Sequence, residues 1–359
     1  MSIPLHWKIR RNLRTILNNI LLKLISPKAN FDKIDPNSIN RILLIRLNYR
    51  IGNIIFMTPL IRAIEKNMPH IKIDMLVGAG FTKSIIQGMP NIQNVYDMPR
   101  DLLKSPLKLF KLVNKINKNN YDLIISPVVG SVSSNIAVTL LKAPIKLGLY
   151  EPNSYSALNR FVYKKDGFTH SAIEPLAIMD IFFNQTPPYE KYLDIAINEE
   201  EKKFGEDYIS DLLEKNHLPK DKKIIGIFRD ARNDKKIPDD WWIEFITNLR
   251  EKSSNILLVD ILNPNEIKPL IEDMPYIKEK NLRTLGAIFS ALDRFICADT
   301  GPMHLASASL TPVIALFNST SPSKYGPLGQ KDEVIVINDK DIKDIANEAI
   351  NIINQGTKI

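Results

Sequence analysis

Short apolar runs alternate with helical segments along most of the chain. In the first half, this pattern predicts strands at 41–46, 71–77 and 121–127, and helices at 59–67 and 105–118. A second series begins near Lys222, with strands predicted at 223–228, 255–260, 294–299 and 312–317, and helices at 238–250, from Pro264 and directly after residue 299. Such alternation is typical of parallel sheets covered by helices. We therefore predict an α/β fold with two parallel-sheet domains.

Changes in composition mark the predicted domain limits. The stretch SPKANFDKIDPNS at 26–38 reads as a linker before the first strand. The segment from about Gly167 to Lys220 is rich in charge and contains Pro187, Pro188 and an acidic run at 199–201, so a boundary is expected inside it. We predict a leading helix and linker at 1–40, an amino-terminal domain at 41–185 and a carboxyl-terminal domain at 186–359.

The leading segment has the pattern of a basic amphipathic helix. Apolar residues recur at helical spacing among five cations: Leu13, Ile16, Leu17, Ile20, Leu21 and Leu24, with Lys8, Arg10, Arg11, Arg14 and Lys23. Polar residues interrupt the apolar run well short of the roughly 20 residues that a membrane span needs, and no small-residue cleavage site follows. Two interpretations remain open: a helix docked on its own domain, or a helix on an anionic membrane surface.

Composition excludes some classes of protein. The 359 residues are 44% hydrophobic and 25% charged, with a net charge of +8, as in a globular protein with a large core. The single cysteine, Cys297, excludes an intrachain disulfide and a Cys-rich zinc site, which fits a reducing compartment. We expect a cytoplasmic protein, peripheral on the inner face of the cytoplasmic membrane if the leading helix binds lipid. Because the cations do not interleave with aromatic residues over one surface, no nucleic-acid partner is predicted.

The stretch ADTGPMHLA at 298–306 falls where a predicted strand turns into a helix. The free backbone amides and the dipole of a helix N-terminus attract anions, and Gly301 lets a phosphate approach the backbone closely. Thr300 adds a hydroxyl, and His304 can donate a hydrogen bond or a charge to the same oxygens. The alternative is that Asp299 and Thr300 only cap the helix. The stretch is a candidate phosphate site.

Two neighbouring loops strengthen this prediction. The loop after strand 223–228 carries Arg232, Lys235 and Lys236 at the sheet edge where open α/β proteins bind ligands. Glu266 follows the next strand at a predicted helix start, from which a carboxylate can bind ribose hydroxyls. Taken alone, the basic loop could be only a solvated charged loop, and Glu266 could be only an acid in the first turn of a helix. Together they predict a pocket for a nucleotide diphosphate in the second domain.

Other chemistry is less well supported by the sequence. The loop RLNYRIGN lacks the G-x-G-x-x-G of a dinucleotide-binding oxidoreductase. The only D-x-D pair, Asp339 and Asp341, lies in a charged stretch that reads as a helix start. We therefore predict no metal ion and no cofactor, and expect a helix N-terminus, Lys235 and His304 to stabilise a departing phosphate instead.

Two longer stretches resemble a known family. RLNYRIGNIIFMTPLIRAI at 46–64 and FICADTGPMHLASASLTPVIALFNSTSPSKYGPLG at 295–329 are similar to glycosyltransferase family 9, the bacterial heptosyltransferases of lipopolysaccharide core assembly. RNDKKIP at 232–238, Glu266 and FTHSAIEPLAIMDIFF at 168–183 fall in the expected order, so the resemblance covers roughly 41–350. It implies a GT-B architecture, in which two Rossmann-like domains face each other across a cleft. It also implies a nucleotide diphosphate sugar donor, typically ADP-heptose, a lipid-linked or core oligosaccharide acceptor, and inverting transfer without a metal.

The resemblance also implies roles for individual residues. Asp299, Thr300, Gly301 and His304 match the residues that bind the pyrophosphate, Lys235 the lysine that contacts phosphate, and Glu266 the acid that binds the nucleoside. Gly52 belongs to the glycine loop on the acceptor side. Arg46 and Arg50 beside it suit phosphorylated or carboxylated acceptor sugars, the alternative being salt bridges to the other domain.

The chain departs from the family pattern at two places. The family motif ends Gly-Asp, with the Asp as general base, whereas this chain has Gly52 and Asn53, and an amide cannot accept a proton as a carboxylate does. A base elsewhere, a reaction dominated by leaving-group departure with Asn53 orienting the acceptor, or a nucleotide-sugar-binding partner without turnover would each explain Asn53. In the donor loop, Asp230 and Ala231 stand where the family can carry hydroxyl residues.

Overall fold

The computed structural model describes residues 29–152, 157–185, 188–266 and 268–355. The predicted amphipathic helix of the leading segment lies outside these residues. The first described residues run directly into the predicted first strand, and Ile34 and Ile39 are buried under the first domain.

The first half of the chain forms a six-stranded sheet with helices on both faces. Its strands are β1 (Arg41–Arg46), β2 (Lys72–Val77), β3 (Ile92–Asp97), β4 (Leu123–Ser126), β5 (Ile145–Leu149) and β6 (Arg160–Val162). Its helices are α1 (Ile51–Ile55), α2 (Thr58–Asn67), α3 (Lys83–Gln87), α4 (Pro106–Asn117) and α5 (Val132–Leu140), with 3₁₀ turns at Pro36–Ser38, Gly80–Thr82, Arg100–Lys104 and Glu174–Ile181. The strand order is β3-β2-β1-β4-β5-β6.

The second half repeats this architecture. Its strands are β7 (Lys223–Phe228), β8 (Ile256–Ile261), β9 (Tyr276–Ile277), β10 (Arg294–Ala298), β11 (Val313–Phe317) and β12 (Glu333–Val336). Its helices are α6 (Glu199–Lys215), α7 (Asp239–Lys252), α8 (Leu282–Ser290), α9 (Gly301–Ala308), α10 (Pro322–Tyr325) and α11 (Ile342–Gln355), with a 3₁₀ turn at Asn233–Lys235. The strand order is β12-β11-β10-β7-β8-β9.

All strand pairs in the two sheets are parallel among the described residues, which confirms the predicted α/β class. The central strands β1 and β10 are almost continuous apolar runs because helices cover both of their faces. In each sheet the order reverses once, between β1 and β4 and between β7 and β10. Open α/β sheets bind ligands at such a reversal, beyond the carboxyl ends of the strands.

Helix contacts join the two halves. Helix α1 packs against α9. One buried apolar cluster contains residues from the helices of both domains, including Ile54 of α1 and Met303 of α9. A second cluster, which includes Leu43, Ile116 and Val138, lies on the other face of the first sheet and contains residues of that domain alone. Helices α4 and α5 therefore cover a face of the first sheet that the second domain does not reach.

A buried arginine ties the connection between the sheets to both domains. Arg283 of α8 is 9% exposed, and it donates two hydrogen bonds of 2.6 Å to the carboxylate of Glu201 in α6. It also donates to the carbonyl oxygens of Ile195 and Ala196 in the connection, and to that of Ile85 in α3. This one guanidinium thus links three segments of the chain.

The structure differs from the predicted helix that begins at Pro264. The described residues between β8 and β9 form turns, and the next helix starts at Leu282. Pro264, Pro269 and Pro275 each lack a backbone N–H donor and disfavour helical backbone before them, which explains the absence of a helix there.

The charged segment in which we expected a boundary contains the long helix α6. Asn198 caps it by accepting from the amide of Glu201, whose carboxylate accepts from the amide of Asn198 in return. The first sheet ends at Val162 and the second begins at Lys223, so the predicted boundary at 185/186 falls between the sheets and stays a prediction, as does that at 40/41. No helix among the described residues is long and apolar enough to cross a membrane.

Candidate active site

The loop between β10 and α9 forms the predicted helix N-terminus. Thr300 is the residue before the first turn, and its hydroxyl caps no backbone amide, so the capping alternative does not describe its side chain. In such a turn the amides of Thr300, Gly301 and Met303 lack intrahelical partners, while Pro302 has no N–H. The amide of His304 bonds within the helix by the same geometry, so fewer amides face an anion than the sequence suggested.

Asp299 holds a lysine beside this helix N-terminus. Its side chain is only 4% exposed, and its Oδ2 lies 2.5 Å from Nζ of Lys235. The hydroxyl of Thr320, in the loop after β11, donates to the same oxygen. Because Oδ2 is engaged by both groups, Asp299 positions Lys235. The ammonium of Lys235 is therefore held at the strand end from which α9 starts, with its charge balanced by Asp299.

His304 is buried and neutral. It is 5% exposed, and burial, with smaller effects from His170 and Lys235, lowers its pKa to about 3. The imidazole therefore carries no charge at pH 7, which leaves the hydrogen bond as the role open to it of the two that the sequence predicted. Its Nδ1 has no hydrogen-bond partner among the described residues, which leaves a neutral ring nitrogen available at the site.

Two glycines let the helix N-termini of the two domains approach each other. A Cβ on Gly52 would stand 2.4 Å from Cδ2 of His304, and a Cβ on Gly301 would stand 3.0 Å from that of Ile51. The ring of Phe56 also packs edge-on against His304 with 4.6 Å between the ring centroids. Helices α1 and α9 therefore bring the acceptor-side loop and the predicted phosphate site into direct contact.

Asn53 sits in α1 and is held by Arg46. The guanidinium of Arg46 donates from Nη2 to Oδ1 of Asn53 and from Nε to its backbone oxygen, both at 3.0 Å. Since Oδ1 is engaged in this way, Nδ2 of Asn53 remains as a hydrogen-bond donor, with no acceptor among the described residues. A donor at this position can orient an acceptor oxygen but cannot remove its proton.

Arg46 is therefore not placed as the sequence suggested. It is 9% exposed and forms no ion pair within the described residues, and burial lowers its pKa to about 10 despite the nearby carboxylate of Glu174. The guanidinium lies in the interior next to Asn53 and not on a surface that an acceptor could reach directly. Arg50, in contrast, is exposed and forms no salt bridge with a described residue, so it remains available to a ligand.

The residue before Arg50, Tyr49, makes a cation–π contact. Tyr49 lies under the guanidinium of Arg100, 4.2 Å from ring centroid to Cζ, and this pair follows β1 and β3 at the same sheet edge. Sequence reasoning missed Arg100 because its motif carries no glycine or family signature. The stacked pair and Arg50 place two guanidinium groups at this edge of the first sheet, with Asp101 close to Tyr49.

Glu266 is engaged by the protein itself. Its Oε1 pairs with Nη2 of Arg229 at 2.9 Å, and its Oε2 accepts from the amide of Asn263 at 2.8 Å. The residue lies in a turn and not at the predicted helix start. Burial raises the pKa of Asp260 behind this pair, and its Oδ1 has no partner among the described residues. A ribose hydroxyl would have to share the carboxylate of Glu266 with Arg229.

The remaining donor-loop residues are divided between solvent and core. Arg232 and Lys236 are exposed on either side of the turn that carries Lys235. Asp230 accepts from the side-chain amide of Asn263, and Ala231 is buried under the second sheet. No arginine or lysine forms an ion pair with Asp230 among the described residues.

The D-x-D pair serves as a helix start, as the sequence indicated. Asp341 accepts from the amide of Lys343 in the first turn of α11, and Asp339 has a positive φ of 61° in the turn before it. No cluster of His, Cys, Asp and Glu among the described residues could hold a metal ion.

Thr320 is the donor-side residue that sequence reasoning missed. It lies in the stretch NSTSPSK after β11, which ends at the same sheet edge as β10. A run of hydroxyl residues at that edge was the available signal. The site as a whole combines an anion-binding helix N-terminus and Lys235 on one domain with a hydrogen-bond donor and basic residues on the other.

Comparisons with known proteins agree with this arrangement. The sequence model of glycosyltransferase family 9 (heptosyltransferase) matches residues 109–351, more than half of the chain. Lipopolysaccharide heptosyltransferase 3 of Escherichia coli is 26% identical over 305 residues, which cover 77% of this chain and 82% of that protein. Lipopolysaccharide core heptosyltransferase OpsX of Haemophilus influenzae is 21% identical over 302 residues, which cover 80% of this chain and 82% of that protein.

Solved structures share the fold. A glycosyl transferase of family 9 from Veillonella parvula superposes with a TM-score of 0.70 at 18% identity, covering 88% of this chain and 97% of that one. The heptosyltransferase WaaC of Escherichia coli, solved with ADP, superposes with a TM-score of 0.69 at 20% identity, covering 88% of this chain and all of that one, 100%. With the two parallel sheets, these likenesses confirm the predicted GT-B architecture.

Proposed function

The chain belongs to glycosyltransferase family 9, and on that premise we propose that it transfers a heptose from ADP-heptose to a lipopolysaccharide core acceptor. The observation that carries the proposal is the helix N-terminus of α9 with Lys235 held against it by Asp299. Both relatives described above are named as heptosyltransferases, which supports heptose as the sugar. A nucleotide-sugar-binding partner without turnover, the alternative that Asn53 raised, is not favoured by this membership.

In the proposed reaction, an acceptor hydroxyl attacks the anomeric carbon of the sugar while the bond from that carbon to the β-phosphate oxygen breaks. The new bond forms on the opposite face, so the configuration inverts, and ADP leaves with the electron pair. Lys235 and the free amides of α9 stabilise the negative charge that develops on the diphosphate. This is the charge that a metal ion would otherwise balance, and we propose that no metal is required.

The acceptor side supplies orientation. Nδ2 of Asn53 donates to the attacking oxygen, and Arg46 fixes the amide by occupying its Oδ1. Departure of ADP then dominates the barrier, and the acceptor's proton passes to solvent as the bond forms. Arg50 and the stacked Arg100 suit an anionic acceptor, such as a phosphorylated or carboxylated sugar. Thr300 and Glu266 contact the phosphate and the ribose, respectively.

Acceptor-dependent turnover tests the proposal. Purified protein with ADP-heptose and a lipopolysaccharide core acceptor should release ADP and increase the acceptor mass by one heptose. Release of ADP without any acceptor, or conversion of the donor to an epimer, would contradict it. Binding of ADP-heptose with no transfer to any core acceptor would favour the binding partner instead. Inversion of the anomeric configuration, determined by NMR of the product, would support an inverting reaction. Full activity in the presence of a chelator would support independence of metal.

Membrane attachment by the leading segment is a separate proposal. Because the acceptor is anchored in lipid, a basic amphipathic helix at 6–28 would hold the enzyme at the inner face of the cytoplasmic membrane.

The sugar that is transferred and its position can be identified in cells. Mass spectrometry of core oligosaccharide from a deletion strain would identify the missing sugar and its position.

A further inference from the structure

A second basic and apolar surface lies on the outer face of the first domain, formed by α4 and α5. On α4, Leu107 is 78% exposed and Phe110 63%. On α5, Ile136 is 37% exposed and Leu140 40%. Four large apolar side chains open to solvent on two adjacent helices are unusual for a soluble surface and mark an interaction site.

The two helices adjoin at one end of the same sheet face. The side chain of Asn117, at the end of α4, donates to the carbonyl oxygen of Leu140 at 3.5 Å and accepts from the amide of Lys142 at 2.8 Å. The carboxyl ends of α4 and α5 therefore meet. On the other side, Ile116 and Val138 are buried in the cluster that belongs to the first domain alone. The exposed face consequently points away from the second domain.

The charge of this surface is predominantly positive, with Asp101 in the 3₁₀ turn just before α4 as an exposed acid beside it. Between residues 102 and 150 the sequence has a single carboxylate, Asp122, which accepts from the backbone amides of Asn40 and Arg41. Six lysines accompany the apolar residues: Lys104, Lys108, Lys111, Lys115, Lys118 and Lys142. None of the six forms an ion pair with a described residue. At helical spacing, Leu107, Lys111 and Lys118 share the outermost line of α4.

Charge decides between the candidate occupants. The leading segment carries no acid before Asp32, so its cations would be repelled by the lysines if it lay on this surface. A second copy docked by two-fold symmetry would set the same lysines against one another. Nucleic acid would engage the lysines but leave the exposed leucines and phenylalanine unused. An anionic bilayer satisfies both, because lysines bind its head groups while apolar side chains enter the boundary with the acyl chains.

We propose that the α4–α5 surface, defined by these four apolar residues and six lysines, docks on an anionic lipid membrane. It acts in addition to the leading segment and sets the orientation of the first domain on the bilayer. The proposal does not depend on the glycosyl-transfer reaction. With a lipid-linked acceptor, docking would bring the enzyme to its substrate.

A fluorescent label at the surface tests the docking directly. The chain's one cysteine, Cys297, is fully buried, so Phe110→Cys can be labelled selectively with a polarity-sensitive dye. Vesicles of phosphatidylcholine with phosphatidylglycerol should shift its emission to the blue, and vesicles of phosphatidylcholine alone should not. The matched control is Phe204→Cys on α6, where Phe204 is 47% exposed. No shift at Phe110 while the full chain binds the vesicles would assign binding to the leading segment alone and overturn the proposal.

Affinity provides a second measurement on the full chain. Each lysine near an anionic surface contributes about fivefold to binding, so Lys111→Ala with Lys118→Ala should weaken sedimentation with anionic vesicles about 25-fold. Lys203→Ala with Lys215→Ala, on α6, should leave binding unchanged. Equal binding by the two pairs would refute the docking. A change of oligomeric state, or of affinity for DNA, in place of a change of vesicle binding would assign the surface to another partner. The vesicles contain no donor or acceptor, so the result is independent of the proposed activity.

Discussion

Replacing Asn53 by Asp should not turn the enzyme into one with an efficient general base. The introduced carboxylate would lie where Oδ1 of Asn53 now accepts from Nη2 of Arg46 at 3.0 Å, next to a guanidinium that is 9% exposed. A neighbouring arginine lowers the pKa of an aspartate by about 1 to 3 units from about 3.9. The carboxylate would thus have a pKa well below its ordinary value, far from neutral pH, and would be a weak base.

A positioned base normally contributes about 100-fold to 10,000-fold, whereas Asn53→Asp should change kcat by no more than about tenfold. The assay is a pH–rate profile of wild type, Asn53→Asp and Asn53→Ala with one donor and one acceptor. Neither wild type nor Asn53→Asp should lose rate between about pH 5 and pH 7 through a carboxylate, since the introduced group stays ionised there. A gain of 100-fold, or an acid limb of carboxylate type in the wild type, would refute this reasoning.

Three further variants test the structure. Glu201→Ala leaves the buried guanidinium of Arg283 without its carboxylate and should lower the free energy of unfolding by about 2 to 4 kcal/mol in urea titrations, whereas the exposed Glu200→Ala should have little effect. Because burial lowers the pKa of His304 to about 3, the folded protein favours the neutral imidazole. The free energy of unfolding should therefore keep its full value above pH 6.5 and fall by about 1.4 kcal/mol per pH unit as the pH decreases from 6.5 toward 3. The variant His304→Asn should reduce that slope. Gly52→Ala should separate α1 from α9 through the clash with His304 and lower kcat, and wild-type activity would contradict the close contact.

The sequence predicted the central strands well because each is a buried apolar run. RILLIR and KIIGIF coincide with β1 and β7 to the residue, and the order of strands and helices then requires parallel sheets. The helix predicted from Pro264 is wrong because three prolines in this segment disfavour helical backbone. Helix α6 was not predicted, although Asn198 followed by Glu201 three residues later is a readable helix start.

The candidate site was predicted in its parts but not in its contacts. The turn at Thr300 and Gly301 was readable because a strand that ends in a glycine turn before a helix is a recurrent phosphate-binding arrangement. That Asp299 pairs with Lys235, and Glu266 with Arg229, depends on how loops distant in sequence meet at one sheet edge. The inward direction of Arg46 was equally hidden, since a cation at the end of a buried strand can turn either way.

The affinity for ADP of wild type and Lys235→Ala, measured by calorimetry, tests the central assignment most directly. Loss of one charge-assisted hydrogen bond should cost about 1.5 to 3 kcal/mol, a weakening of about tenfold to 150-fold. Because the substitution also leaves the buried carboxylate of Asp299 without its cation and lowers thermal stability, the titrations are run at a temperature at which all the proteins are folded. Lys236→Ala is the matched control because Lys236 is exposed on the same loop and forms no ion pair with a described residue. Weaker binding by Lys235→Ala alone is the result that we predict. Equal affinity of all three proteins, or no binding of ADP by the wild type, would contradict a nucleotide diphosphate site at the start of α9.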